Sequence, residues 1–166
     1  MASHDDNENF RVPDAEIHRR IASFQKRLRS GAIDAALIIQ RSDLFYFSGT
    51  AQNGCLYVPG DGEPLLLIRK YMPRAELESA IIHKTEIGSV KEIPGRISSF
   101  YGTLPGKLGF ELDVLPVRDF NFYFSLLDPE AYVDVSPLIH TVRQIKSEWD
   151  IACMEENAGL SNRVFE

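Results

Sequence analysis

IDAALIIQRSDLFYFSG, residues 33–49, is the stretch whose reading decides the fold. Its opening run, 33–39, is apolar apart from Asp34. A run that short and that apolar reads as a central strand buried on both faces, and such a strand needs helices above and below it. The character then changes. Ser42 or Asp43 is a candidate N-cap, Leu44, Phe45, Tyr46 and Phe47 fill one or two crowded helical turns, and Gly49 stops them. The rest of the chain reads as layers around this unit.

Upstream, residues 1–12, MASHDDNENFRV, are polar and acidic and read as a flexible arm. His4 lies there without a partner cluster and reads as solvated rather than metal-bound. Pro13 and Asp14 open a helix in which Ile17, Ile21, Phe24 and Leu28 make one apolar stripe, closed by Gly31. Arg19, Arg20, Lys26, Arg27 and Arg29 take the other faces, read as a solvated surface whose long stems cover the margins of the stripe.

Downstream, 54–58 and 64–68 are strand-like, and Pro59-Gly60-Asp61-Gly62-Glu63 between them is turn chemistry, so the pair reads as a hairpin. Pro73 begins a helix with Leu77, Ala80 and Ile81 facing inward, followed by a short strand near 85–87. Ile93, Ile97 and Phe100 mark a further helix, and 107–112, KLGFEL, alternates as a strand. Pro116 opens a helix with Val117, Phe120, Phe124 and Leu127 on one stripe. A strand over 132–135 leads to Ser136 and Pro137, read as N-cap and N1 proline of a helix carrying Leu138, Ile139, Val142 and Ile145. Ser147-Glu148-Trp149-Asp150 resembles a capping box with Asp in place of the longer Glu. The pattern behind it, Ile151, Met154, Ala158, Val164 and Phe165, runs to Glu166 without a stop signal, so the sequence is expected to be a piece of a longer chain.

Composition bounds the function. At 166 residues the chain has the size of one α/β domain. A net charge of −6 argues against a nucleic-acid binder. No apolar run approaches the roughly 20 residues of a membrane span. Cys55 and Cys153 lie far apart, match no metal spacing and follow no signal peptide, so they read as reduced thiols of a cytoplasmic protein.

Catalytic motifs are missing from the sequence: it holds no histidine pair at helical spacing, no CxxC, no GxSxG and no P-loop. Gly60-Asp61-Gly62 lacks the lysine and following helix of a phosphate loop. Glu111 and Asp113 are candidate paired acids, but without a third ligand they read as structural or solvated. His18, His83 and His140 are scattered. The residues by themselves support an α/β domain, a mixed β-sheet flanked by helices on both faces, without catalytic apparatus.

Four stretches taken together resemble the amino-terminal domain of the creatinase and prolidase family. They are EIHRRIASFQKRLRSGAIDAALI (16–38), RSDLFYFSGT (41–50), GCLYVPGDGEPLLLIRK (54–70) and VDVSPLIHTVRQIKSEWDIACMEENAGLSNRVF (133–165). In the last of these Arg143, Ile145, Lys146, Ser147 and Met154 match the family's junction, while Asp150 stands where Glu is usual. The resemblance implies a ribonuclease H-like motif over 13–146, with 147–166 as the start of a pita-bread catalytic domain. The family holds Xaa-Pro dipeptidases, aminopeptidases P and creatinase. In its peptidases two divalent metals (Mn, Co or Zn), held by carboxylates and one histidine, activate a bridging water. Those ligands belong to the carboxy-terminal domain, so no metal ligand carries over and this chain alone is expected to be inactive. The implied role is to help form a homodimer and to wall the active-site mouth for a proline-containing peptide, with Asp43, Tyr46, Gln52 and Asn53 as candidate mouth residues. Phe45, Tyr46 and Phe47 also read as core beneath the sheet, the preferred reading for Phe47. The partners implied are the chain's own carboxy-terminal catalytic domain and a second copy, with no nucleic acid and no membrane. A creatinase-like amidinohydrolase and a non-catalytic protein-interaction module share the same resemblance.

Overall fold

The computed structural model describes residues 11–165, with side chains through residue 161. Among them the elements run α1 (Asp14–Ser30), β1 (Ala35–Ile38), α2 (Arg41–Ser48), β2 (Gly54–Pro59), β3 (Leu65–Ile68), α3 (Met72–Glu78) and β4 (His83–Glu86). After a turn of 3-10 helix come α4 (Ile93–Tyr101), β5 (Lys107–Phe110), α5 (Val117–Leu127), β6 (Ala131–Asp134), α6 (Ser136–Gln144) and α7 (Glu148–Phe165). The strands form one sheet in the order β4-β3-β2-β1-β5-β6. β2 runs antiparallel to both its neighbours, and the other pairings are parallel. Five strands therefore point the same way and end along one edge of the sheet.

β1 is central and buried at every position. Because side chains alternate along a strand, it feeds two cores. Ala36 and Ile38 pack with α1, α2, α3 and α6 on one face; Ala35 and Leu37 pack with α4 and α5 on the other. The mixed sheet with helices on both faces is thus as the apolar run 33–39 predicts. Gly109 of β5 permits close layering over the sheet, since a Cβ there would collide with the Val135 side chain and press on Ala36.

Several local expectations are corrected. Gln40, not Ser42 or Asp43, caps α2: its side-chain oxygen accepts the Asp43 N–H at 3.0 Å, while Asp43 itself is engaged by Arg143. Gly49 ends α2 as expected, in the left-handed region at φ 79°. α3 is only one face of two turns. It buries Ala75, leaves Leu77 exposed and stops before Ala80 and Ile81, because the chain must extend at Ser79 to enter the edge strand β4. Phe100, Val117 and Ile145 are also exposed. Ser136 lies inside α6, and its hydroxyl donates to Asp134 at 2.6 Å instead of capping the helix. The capping box forms: the Ser147 N–H donates to Asp150 at 3.0 Å, and the Asp150 N–H to Ser147 Oγ at 3.1 Å. Of the arm read over 1–12, residues 1–10, His4 among them, lie outside the described residues, and Val12 is buried in the core.

Candidate functional site

Near the edge where the parallel strands end lie several buried polar side chains, Asp43, Glu111 and Ser136 among them. β1 runs on into Ile39 and Gln40, and β5 into Glu111. One carboxylate oxygen of Glu111 accepts both the Ile39 N–H, at 2.7 Å, and the Gln40 N–H, at 3.0 Å. These bonds hold the ends of two neighbouring strands together. Glu111 is 1% exposed, and its other oxygen, Oε1, has no hydrogen-bond partner among the described residues. Burial drives its carboxyl well above the usual range, the two N–H groups pull it down, and the nearby Asp43 carboxylate adds to the rise. Glu111 is therefore a buried acid that holds its proton more tightly than an ordinary carboxyl. Asp43, in the first turn of α2 and also buried, forms an ion pair with Arg143 of α6.

Tyr46 continues the chain of contacts. The guanidinium groups of Arg20 and Arg143 lie over its ring, 4.1 and 5.5 Å from the centroid. The Tyr46 carbonyl accepts Arg20 Nη1 at 2.9 Å, and its hydroxyl donates to the Val142 carbonyl at 3.4 Å. Arg20, read from the sequence as solvated, is instead 2% exposed. It donates to Glu16 and to Asp150, each at 2.7 Å, and lies against Trp149. This joins α1 and α2 to the first turn of α7.

The four candidate mouth residues separate into two pairs. Asp43 and Tyr46 are brought together through Arg143, inside the packing of α2 against α1 and α6. Gln52 and Asn53 lie in the loop before β2, where they line an open cleft with Arg41 and Arg69. Asp113 and His140 meet at 2.9 Å without a third ligand, and no group of three or more His, Cys, Asp or Glu among the described residues is placed to hold a metal ion. Cys55 and Cys153 are free thiols; burial pushes Cys55 up to about 12, so it is inert at neutral pH. No helix among the described residues is long and apolar enough to cross a membrane.

Residues 20–145 match the model of a family described as the Creatinase/Prolidase N-terminal domain. An uncharacterized hydrolase/peptidase of Sinorhizobium fredii is 25% identical over 171 residues, which covers 90% of this chain and 43% of that protein. An uncharacterized peptidase of Staphylococcus epidermidis is 26% identical over 163 residues, covering 89% and 42%. The chain thus spans less than half the length of the curated relatives it matches. The prolidase of Pyrococcus horikoshii superposes with a TM-score of 0.75 at 20% identity, over 87% of this chain and 40% of that one. The N-terminal domain of cytoplasmic peptidase PepQ from Mycobacterium tuberculosis gives 0.64 at 23% identity, over 75% of this chain and 98% of that one. At such identities the superpositions show a shared fold. With the family match running from α1 through α6 across the whole sheet, the chain belongs to the creatinase/prolidase N-terminal domain family.

Proposed function

We propose that this chain is the non-catalytic amino-terminal domain of a proline-specific metallopeptidase, of Xaa-Pro dipeptidase or aminopeptidase P type. The observation that carries the reading is the family match over residues 20–145. It is supported by the solved structures sharing the fold, among them prolidases and an X-Pro aminopeptidase from Thermotoga maritima. On this reading the parent is cytoplasmic and homodimeric, and cleaves peptides bearing proline.

Among the described residues, the acids and histidines singled out above are not arranged as a two-metal centre. Glu111 is tied to backbone N–H groups, Asp43 to Arg143, and Asp113 and His140 stand as a pair. Mn, Co or Zn ions, as the chemistry requires, are assigned to a carboxy-terminal catalytic domain. This domain then contributes shape: Gln52 and Asn53 stand at an open cleft and supply a wall of the mouth, while Asp43 and Tyr46 brace α2 behind it. A wall discriminates by excluding ligands that are too long, which is how a site prefers short peptides.

Hydrolysis of a Gly-Pro dipeptide and an Xaa-Pro-Pro tripeptide, with added manganese, by the full-length parent and by this chain tests the reading. Turnover by the parent alone is expected. Turnover by this chain alone would overturn it, and silence of both would favour a creatinase-like amidinohydrolase or an interaction module.

A further inference from the structure

The cleft that Gln52 and Asn53 line has a chemical character of its own. Its volume is about 170 Å³, and it lies where β1, β3 and β4 end and β2 begins. The chain leaves β1 for β2 on one side and later returns to β5 on the other. Open α/β sheets take ligands at such a place, outside the carboxyl ends of the strands where the connections diverge.

Its lining is polarised. Arg41 and Arg69 are the charged groups, and no carboxylate lines the cleft, although acidic residues outnumber basic ones by 24 to 18 in the chain. Most described arginines are engaged by a carboxylate, hydroxyl or carbonyl: Arg11, Arg19, Arg20, Arg29, Arg74 and Arg143 are examples. Arg41 and Arg69 make no side-chain hydrogen bond or ion pair among the described residues. Two unmatched guanidinium groups and two amide side chains on one rim are donors suited to a carboxylate. The floor beneath them is made by Leu44, Cys55, Ile87 and Ile93, which are buried and offer a ligand little surface. Drug-sized ligands occupy about 300–1,000 Å³, so this smaller space suits a single residue.

We propose that the cleft binds a carboxylate, one amino-acid residue in size. The carboxylate sits between Arg41 and Arg69, with Gln52 and Asn53 donating from the rim. A free acylated amino acid and the carboxyl terminus of a peptide share this chemistry. The inference stands on the cleft and not on the peptidase reading, so either can fail while the other holds.

The test is a chemical-shift titration of this chain, labelled with 15N, with N-acetyl-leucine, its uncharged amide, and a short peptide ending in leucine. Saturable shifts at the Asn53 and Gly54 N–H groups with the free acid, but not the amide, are expected. Arg41→Gln and Arg69→Gln should each weaken binding by about tenfold or more, as expected for loss of a charge-assisted hydrogen bond. Both side chains are exposed and unbonded within the domain, so the variants should fold, which unchanged resonances in β1 and β5 would verify. Tighter binding of the peptide identifies a chain terminus as ligand; tighter binding of the acylated residue identifies a free acid. An equal response to acid and amide, no saturable response at millimolar concentration, or undiminished binding by both variants overturns the proposal.

Discussion

A carboxylic acid with 1% of its surface exposed must meet positive charge or keep its proton, and Glu111 meets two backbone N–H groups and another acid. Its folded-state pKa is raised above the ordinary 4.5. The native state therefore holds a proton that the unfolded chain releases, and stability falls as pH rises from the ordinary value towards the raised one, by at most about 1.4 kcal/mol per pH unit. Glu111→Gln keeps an oxygen for the two N–H groups, presents an amide donor to Asp43 and does not titrate. Urea denaturation across this window should show a flatter dependence on pH for the variant than for the native protein. Arg20 makes the contrasting case. Removing it as Arg20→Met leaves Glu16 and Asp150 without their buried partner, which should cost about 3 kcal/mol. An exposed pair would be worth under about 1 kcal/mol. Trp149, the single tryptophan, lies 5.4 Å from the Arg20 guanidinium, so its fluorescence reports both the loss and the unfolding transition.

At the scale of elements, the ends of helices decide more than their interiors. α2 has eight residues, too few for stability by propensity alone, and depends on Gln40 at one end and Gly49 at the other. Gly49→Ala places a Cβ in the left-handed region and 2.9 Å from the Glu78 carbonyl oxygen. The conformation alone should cost about 1–2 kcal/mol, readable as a lowered denaturation midpoint. α7 depends on its capping box. Ser147→Ala removes the acceptor of the Asp150 N–H and should cost about 1 kcal/mol. Hydrogen exchange should quicken in the first turn of α7 and remain unchanged in β1. The capping box is legible in the sequence because its partners are three residues apart. The cap at Gln40 is less so, since Ser42 and Asp43 are better N-cap types and only the ion pair with Arg143 withdraws Asp43 from that role.

For the whole molecule, two sets of acids shape stability with opposite sign. Burial pushes Glu16, Asp134 and Asp150 up, but hydrogen bonds, joined by Arg19 and Arg20 at Glu16 and by Arg20 at Asp150, outweigh it and leave all three below their ordinary values. Their contribution is complete above those ordinary values and is lost as pH falls through the depressed ones. With Glu111 acting in the other direction, thermal midpoints should pass through a maximum between the two windows, and Asp150→Asn should flatten the acid limb alone. The sequence by itself determined the central strand, the stripe of α1, the hairpin and the both-face layering, because periodicity and turn chemistry act over a few residues. Only the tertiary structure decided that Arg20 is a buried brace, that Glu111 is a buried acid tying two strand ends together, and that Arg41 and Arg69 share a cleft. Arg20 and Asp150 are 130 positions apart, Asp43 and Arg143 are 100, and Glu111 is 72 from Ile39. Their meeting depends on the order of strands in the sheet, and no local pattern encodes that order.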